Sequence, residues 1–319
     1  MKTVHTERAY EKRFRQLCRR YARDHESGHA GNPEVPWADF VSWLLTLQPE
    51  LLESSWRQYR AAVVHVLEQS GLSTGDELIA RLCTEGRQAD AAVHASSRTS
   101  HGKARTVKTA ELRAMLTWLD AHAGRWNNLA ARWMLWTTVT GLRPAEWRLA
   151  HATRDPQTRD VALLVQNAKA TNGRAHGATR TVVIPVLDAP EWASLDYLLQ
   201  TIKRLDAEGL YDQAYGGVRQ AIWRAARDLW PRRQRRPTLY SGRHQFAADA
   251  KSAGLAPEEI AALMGHGVTQ THQTHYGKRR CGRGAVRVRA AQQDVEQVLQ
   301  RAAARSPRQA SRRQGPAPR

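Results

Sequence analysis

Residues 127–147 read NNLAARWMLWTTVTGLRPAEW. The first fourteen predict a Trp-rich apolar helix, and Gly141 is typical of the residue that ends one. Pro144 is typical of the first turn of a new helix. Arg143 lies in the break between them, with Glu146 three residues later. An arginine held at a helix end can direct a planar fork of donors at phosphate oxygens, although an ordinary helical joint with a surface arginine fits this segment equally well.

Two strands are predicted after this break. DVALLVQNAK and TRTVVIPVL, within residues 160–187, are rich in β-branched and apolar residues, and the polar segment ATNGRAHGA joins them as a turn. Lys169 lies at the tip of this hairpin, where a lysine can approach a site as a cation or proton donor. Hairpin tips often carry lysine without such a role. Helices are predicted around the hairpin at 109–122, 127–140, 190–207, 215–229, 243–253 and 256–264.

The remaining parts of the chain differ in composition. Residues 1–95 predict a four-helix bundle, residues 96–108 an interdomain linker that is small, polar and basic, and residues 286–300 an amphipathic helix. The tail from Arg301 contains six arginines and no acid, which predicts disorder. Thr109 resembles the start of a capping box, although its acid, Glu111, comes one residue early. The bundle's helices are predicted at 3–24, 37–47, 49–69 and 76–83.

The net positive charge of the chain is concentrated after residue 100. Its 319 residues contain 49 Lys+Arg and 30 Asp+Glu, a net charge of +19. Residues 1–100 contain 13 basic and 13 acidic residues, whereas 101–319 contain 36 and 17. Such a surface favours a polyanionic partner, and nucleic acid is the default. The basic residues that we expect at DNA are Arg13, Arg19, Arg20, Lys103, Arg105, Arg279 and Arg280.

Composition also excludes several classes of protein. The hydrophobic content of 41% is globular, and no apolar run is long enough to cross a membrane. The N-terminal residues contain no apolar segment of a secretory signal. Three scattered cysteines exclude a disulfide framework and favour a reducing cytoplasm.

Two further segments contain candidate chemistry. In TLYSGRHQFAADAKSAG (238–254), Tyr240, Arg243 and His244 are predicted to precede an Ala-rich helix. A second arginine near the first would form a two-arginine clamp on one phosphate. On its own, His244 is more simply explained as a histidine at the N-terminus of a helix, without a role in the site.

The other segment is LMGHGVTQTHQTHYGKRR (263–280). Its histidines, His266, His272 and His275, are six and three residues apart without a nearby cysteine or acid, so a zinc site is disfavoured. The alternative is that Tyr276 is a nucleophile in a phosphate pocket, beside His266. A phenol becomes a nucleophile when cations stabilise the phenolate and a base accepts the phenol proton.

Together these segments resemble the catalytic domain of tyrosine recombinases, the phage-integrase family. TGLRPAEW, the hairpin lysine, YSGR with its Ala-rich helix, and LMGH followed by a tyrosine match in order and approximate spacing over residues 107–280. RQYRAAVVHVLEQSG (57–71) resembles that family's core-binding domain. The resemblance implies a mainly α fold: an N-terminal four-helix, SAM-like core-binding domain (1–95), and a mostly helical α+β catalytic domain with a small β-hairpin or sheet (109–285). A C-terminal helix and tail (286–319) follow.

The resemblance also implies roles for individual residues. Arg143 and Arg243 match the two catalytic arginines, and Glu146 matches the structural neighbour of the first. Lys169 matches the general-acid lysine, His266 the phosphate-binding histidine, and Tyr276 the nucleophile.

The chain departs from the family pattern twice. Tyr240 occupies the position where the family has a histidine, and a phenol is a poorer base than imidazole near neutral pH. Either His244 has taken the base function, or Tyr240 positions a water or a phosphate oxygen. Tyr276 follows His266 by ten residues where nine is usual. The ninth is His275, which is the alternative nucleophile.

The implied activity is cleavage and rejoining of DNA strands through a 3′-phosphotyrosyl bond, without metal, ATP or another cofactor. The implied partners are double-stranded DNA attachment sites and accessory or directionality factors. Four copies of the chain are expected to form a homotetramer on paired sites and to exchange C-terminal elements. We expect integration or excision of a bacterial mobile element, at the nucleoid in the cytoplasm. The alternatives are an inactive DNA-binding relative, a type IB-like topoisomerase and a basic nucleoid protein.

Overall fold

The chain divides into two units, Met1–His101 and Gly102–Arg319, each with its own hydrophobic core. The computed structural model describes residues 4–25, 36–85, 103–168, 170, 175–267, 269 and 276–313. Lys169, His272 and His275 lie outside these ranges, as do residues 96–102 of the predicted linker and 314–319 of the tail.

The described residues of the first unit form four α-helices, as the helical spacing of their sequence predicts. Apolar side chains from all four form its core, including Leu17, Phe40, Val63 and Leu82. The third helix begins later than predicted because Pro49 belongs to a short 3-10 helix, Gln48–Glu50, after which the backbone is extended. The helices are α1 Val4–Asp24, α2 Trp37–Thr46, α3 Glu53–Ser70 and α4 Gly75–Thr84.

The second unit is built around one helix, α6, which is buried on nearly all sides and packs against four others. A helix that is apolar all round belongs in a core, and Trp133, Met134 and Trp136 of α6 are buried accordingly. The helices that the structure describes in this unit are α5 Thr109–Ala121, α6 Asn127–Thr140, α7 Ala189–Ala207, α8 Tyr211–Leu229, α9 Leu239–Ser252, α10 Pro257–Leu263 and α11 Gln292–Arg313.

A four-stranded antiparallel sheet completes this unit, in the order β1-β2-β3-β4. The predicted hairpin forms its centre, with Val161 opposite Ile184 and Leu163 opposite Val182. Two outer strands escaped sequence analysis because they are short and polar and depend on their partners' hydrogen bonds. The strands are β1 His151–Arg154, β2 Val161–Gln166, β3 Thr179–Ile184 and β4 Arg289–Ala290. The fold is thus mainly α with a small sheet, as expected.

Two C-terminal predictions are wrong. Residues 286–291 are not helical, since β4 pairs there with β3, and α11 begins only at Gln292. The tail expected to be disordered from Arg301 is helical through Arg313. Three consecutive alanines, 302–304, favour that continuation, because alanine has the highest helix propensity.

The last residues of the predicted linker belong to the second unit. The N–H of Ala104 donates to the carbonyl of Arg236 (3.0 Å). Val107 is fully buried, and its N–H donates to Oε1 of Gln245 (2.9 Å). The N-cap of α5 is Lys108 rather than Thr109, and its N–H donates to Glu111 (2.9 Å). The acid is therefore at the ordinary capping-box position.

Gly141 ends α6 in a left-handed conformation (φ +70°), and a Cβ there would overlap the buried ring of Phe246. We expect Gly141→Ala to lower the free energy of unfolding by roughly 1 to 2 kcal/mol for the backbone conformation. Overpacking against Phe246 should add about 1 to 3 kcal/mol. Urea unfolding measures the sum.

Gly209 is the matched control, because it has the same φ of +70° and a Cβ added there would meet no neighbouring group within 4 Å. Gly209→Ala should therefore show the backbone contribution alone. Equal losses in the two variants would contradict the argued clash with Phe246.

Candidate active site

Arg143 lies where the sequence places it, in the break after α6. It caps a 3-10 helix, Pro144–Leu149, with an extended backbone. Its N–H donates to Oε2 of Glu146 (2.7 Å), and its Nη1 donates to Oε1 of the same carboxylate (2.5 Å). Trp147 anchors this turn to α6 by donating to the hydroxyl of Thr137 (3.1 Å). Among the described residues, the other two side-chain nitrogens of Arg143 donate no hydrogen bond.

Arg243 lies inside α9, which corrects the predicted helix start at residue 243. The helix begins at Leu239, because Thr238 caps it and its N–H donates to the hydroxyl of Ser241 (3.0 Å). Gly242 lets α9 approach α6 closely, since a Cβ there would lie 2.7 Å from Oγ1 of Thr138. Tyr240 and Arg243 therefore project from the first turns of a helix that is packed tightly on α6.

The guanidinium of Arg243 is fully buried and is held from several sides. Nη1 donates to the carbonyl of Gly141, and Nη2 to that of Met264 (2.7 Å). Nη2 also lies 3.1 Å from Nε2 of His266, and Nε donates to the hydroxyl of Tyr276 (3.3 Å). These contacts bring three of the predicted site residues together.

Arg180 is a site residue that sequence analysis missed. It lies on β3, and its Nη2 donates to Oε2 of Glu146 (2.7 Å). Arg143 and Arg243 contact the same carboxylate, the latter at 3.8 Å. A signal was present in TRTVVI, because strand alternation puts Arg180 on the same buried face as Val182 and Ile184.

The positive and negative charges of this cluster do not cancel. Burial by itself would raise the pKa of Glu146, but Arg180, Arg143 and Arg243 together hold the pKa of that carboxyl well below its usual range. Burial and the neighbouring Arg143 lower the pKa of Arg243 to about 10, so it stays charged at neutral pH. Among the described residues, Glu146 is the one carboxylate acting on both Arg143 and Arg243. Three cations thus share one anion.

Tyr276 lies beside this cluster. Its ring centroid is 4.9 Å from that of His244 and 5.2 Å from that of His266, and Cζ of Arg243 lies 5.1 Å from it. The next residue, Gly277, is buried against α9, and its carbonyl accepts from Nζ of Lys251 (2.8 Å). The tyrosine therefore reaches the arginines despite its unusual spacing from His266.

His266 is almost fully buried at the end of α10. Its N–H donates to the carbonyl of Ala261 (2.8 Å), which closes the helix end. The preceding Gly265 is left-handed (φ +63°), and a Cβ there would lie 2.7 Å from Nη1 of Arg180. Only glycine fits this close approach. The imidazole of the next residue, His266, lies against Arg243.

Tyr240 and His244 differ as possible bases. Tyr240 is 40% exposed, and burial of its hydroxyl raises its pKa, so the phenol is a hydrogen-bond donor at neutral pH. Burial, Arg243, Arg105 and Lys251 lower the pKa of His244 to about 4, which leaves its imidazole neutral. Within the part of the chain that the structure describes, Nδ1 of His244 is buried without a hydrogen-bond partner.

The other sequence-predicted residues are spread over the two units. Around Lys169, which is not described, the N–H of Ala168 lies 3.4 Å from Oε1 of Glu146. The expected DNA-binding residues lie on α1 (Arg13, Arg19, Arg20), before α5 (Lys103, Arg105) and in a 3-10 helix (Arg279, Arg280). All but Arg13 and Arg20, which are partly buried, are exposed.

No described group of three or more His, Cys, Asp or Glu side chains could hold a metal ion. Likewise, the described helices include none with the length and apolar content needed to span a membrane.

Glu146→Gln should be strongly destabilising, because it leaves three buried guanidinium groups without a carboxylate. We expect the free energy of unfolding to fall by roughly 3 to 5 kcal/mol at pH 7. Since the pKa of Glu146 is lowered by folding, its contribution is complete above the pKa of the unfolded chain, about 4.3. The difference from wild type should therefore shrink as the pH falls below that value. Urea unfolding between pH 3 and 8 measures it.

Glu191→Gln is the control, because Glu191 also pairs with an arginine, Arg287, but on the surface. We expect a loss of at most about 1 kcal/mol there. If Glu146→Gln were equally mild, the three arginines would not depend on this carboxylate.

Comparison with known proteins finds no matching family model and no matching curated protein. Solved structures are similar at low identity. One is the XerH site-specific recombinase bound to palindromic difH substrate in a post-cleavage complex (15% identity, 77% of this chain and 70% of that chain, TM-score 0.42). Others are the Tn1549 transposon integrase with circular intermediate DNA (15%, 86% and 90%, TM-score 0.44) and with transposon right end DNA (13%, 95% and 95%, TM-score 0.43).

Proposed function

We propose that this chain is a tyrosine site-specific recombinase that cleaves and rejoins DNA through a 3′-phosphotyrosyl intermediate. The observation that carries the proposal is the cluster of three buried arginines around one carboxylate, next to a tyrosine hydroxyl. The resemblance of the sequence motifs supports the same reaction. Integration or excision of a mobile element is the role that the resemblance favours.

The charge imbalance argues for a bound phosphate. Taking a charge out of water costs several kcal/mol unless an opposite charge or hydrogen bonds compensate. Arg180 is compensated by Glu146, Asn167 and a carbonyl, and Arg243 by two carbonyls. Arg143, 5% exposed, has two side-chain nitrogens without an acceptor among the described residues. An anionic phosphate between Arg143 and Tyr276 would complete the site.

The proposed step balances as an in-line displacement. The phenol oxygen of Tyr276 forms a bond to the scissile phosphorus, and the bond from phosphorus to the 5′ oxygen breaks. Arg143 and Arg243 stabilise the charge on the non-bridging oxygens as the transition state forms. Lys169, assigned from the sequence alone, gives a proton to the departing 5′ oxygen. A 5′-hydroxyl then attacks the phosphotyrosine and restores the tyrosine, so no nucleotide is consumed.

His244 is the proposed acceptor of the phenol proton. Its neutral ring lies beside Tyr276, and an anionic phosphate would raise the pKa of the imidazole from its lowered value, which makes it a better base. Tyr240, as a donor, would hydrogen-bond a phosphate oxygen, and His266 would orient Arg243. The cations of the site supply the positive charge that metal ions supply to other phosphoryl-transfer enzymes.

DNA is the proposed partner of both units. The basic residues of α1 and those at 103–105 and 279–280 would contact the phosphate backbone, so binding should weaken steeply with salt. Paired attachment sites, a homotetramer and accessory factors follow from the family resemblance. An inactive DNA-binding relative is the second candidate, and the observation that favours it is Tyr240 in the position of the family's histidine.

Covalent capture tests the proposal. The full chain is incubated, with EDTA and without nucleotide, with a pool of duplexes that carry a randomised core and a nick near each possible cleavage position. The nick lets the cleaved fragment diffuse away, so a covalent protein–DNA species accumulates on a denaturing gel, and sequencing it identifies the site. Tight binding on a native gel without any covalent species would favour the inactive relative.

A further inference from the structure

Arg180 connects three segments of the second unit that the sequence keeps far apart. Its Nη2 donates to Glu146 (2.7 Å), its Nε to the carbonyl of Leu263 (2.9 Å), and its Nη1 to Oδ1 of Asn167. Its side chain is completely buried. All three nitrogens are therefore engaged by protein groups, and, unlike Nε of Arg243, none of them contacts the hydroxyl of Tyr276.

The position of Arg180 could have been filled by an apolar residue. Val182 and Ile184 on the same face of β3 are fully buried in the core. A buried arginine costs free energy of desolvation that a valine does not, and apolar replacements of buried ion pairs are often more stable. A function other than stability thus accounts better for the arginine.

The contact with Asn167 concerns the connection between β2 and β3. Asn167 follows β2 directly, and its N–H donates to the carbonyl of Ala178 (2.8 Å), while its Nδ2 donates to that of Gly177 (3.0 Å). Asn167 thus joins both ends of this connection, and Arg180 in turn donates to the side-chain oxygen of Asn167, Oδ1. Lys169, the proposed general acid, follows two residues later.

The contact with Glu146 concerns the phosphate clamp. Glu146 accepts from Arg143 through Oε1 and from Arg180 through Oε2. The N–H of Ala168, the residue before Lys169, lies 3.4 Å from Oε1. Arg143 and the backbone of Ala168 therefore contact the same carboxylate.

We propose that Arg180 is a positioning residue that holds the start of the β2–β3 connection, Asn167 and Ala168, against the Arg143–Arg243 clamp. This role rests on the proposed recombinase function. Removing Arg180 should impair the protonation of the departing 5′ oxygen more than the binding of the phosphate. A structural role alone would impair both together.

A change of leaving group separates the two roles. A substrate with sulfur in place of the 5′ bridging oxygen leaves as a thiolate, which needs no proton because the pKa of a thiol is about 8.5. Single-turnover cleavage of both substrates is measured for wild type, Arg180→Lys, Lys169→Ala and Arg143→Ala. Arg180→Lys keeps the charge but cannot reach all three partners.

We expect Arg180→Lys to slow cleavage of the oxygen substrate by about 100-fold or more, in the range of a general acid's contribution. The sulfur substrate should restore its rate to within about tenfold of wild type, as for Lys169→Ala. Arg143→Ala should stay slow on both substrates. If wild type cleaves and Arg180→Lys is slowed equally on both, the positioning role is wrong while the recombinase function stands. If wild type cleaves neither, both fall.

Asn167→Ala provides a second variant should Arg180→Lys fold poorly. It removes the contact with Nη1 of Arg180 and leaves the Arg180–Glu146 pair in place. The same selective loss on the oxygen substrate is expected. Asn127→Ala is its control, because Asn127 is also buried and bonded to a carbonyl, that of His122 (2.9 Å), on α6 away from Glu146. Equal behaviour of the two asparagine variants would overturn the proposal.

Discussion

Tyr276→Phe should abolish the covalent protein–DNA species while leaving DNA affinity within about twofold of wild type. The phenol oxygen is the atom that would attack phosphorus, and the change removes that atom alone. The ring keeps its place between His244 and His266, so the phosphate site stays in shape. Denaturing and native gels on the captured duplex measure the two properties side by side.

His275→Ala is the control for this variant. His275 is the neighbouring residue at the family's usual spacing from His266, and a covalent band retained in His275→Ala and lost in Tyr276→Phe would assign the nucleophile. The opposite pattern would assign it to His275. Persistence of the band in both variants would contradict a nucleophile at either position.

Arg243→Lys should reduce the rate of covalent cleavage by about a thousandfold, although it conserves charge. Removing one preorganised donor from a site of developing charge costs about 100- to 1000-fold. Here a planar fork aligned with Tyr276, Gly141 and Met264 is replaced by a single ammonium group. Single-turnover cleavage at saturating protein measures the loss, at a temperature where thermal unfolding shows the variant folded.

Arg287→Lys is the matched control. Arg287 also presents its fork to two oxygens, those of Glu191, but on the surface. It should change the cleavage rate by no more than about twofold, since exposed ion pairs contribute little. If Arg243→Lys cleaved as fast as Arg287→Lys, the buried guanidinium would not be stabilising the reaction.

These two variants probe different parts of the same cluster. Tyr276 is the proposed source of the reacting atom, and Arg243 links its hydroxyl to α6 through Gly141 and to α10 through Met264. The tight contact between Gly242 and Thr138 connects the helix that carries Arg243 with α6, which ends three residues before Arg143. A small shift of α9 would therefore separate the two arginines that the proposed mechanism needs together.

Much of the fold can be predicted from the sequence because many of the signals for helices and strands are local. The apolar spacing of α6 and the glycine that ends it are properties of a few consecutive residues, and the structure has α6 at its predicted bounds, Asn127–Thr140. The central hairpin was predicted for the same reason. Arg143, Glu146, Arg243, His266 and Tyr276 were selected from motifs, and the structure brings them into one cluster. Their roles in catalysis remain predictions.

Other features depended on groups far apart in the chain. Strands β1 and β4 form only because partner strands satisfy their backbone hydrogen bonds, and their own residues show little strand preference. The N-terminal turns of α9 were missed because the cap at Thr238 is made by side-chain contacts rather than by apolar spacing. The continuation of α11 past Arg301 was obscured by the charge of that segment.

By itself, the sequence determined the helices, the central hairpin, the basic character of the chain and the residue types available for phosphate chemistry. The tertiary structure alone decided which charges meet. Arg180 is 34 residues from Glu146 and 83 from Leu263, and its side chain on β3 donates to both, joining the turn after α6 to the end of α10. Local periodicity carries no information about such contacts, since Coulomb attraction and desolvation depend on distances in space.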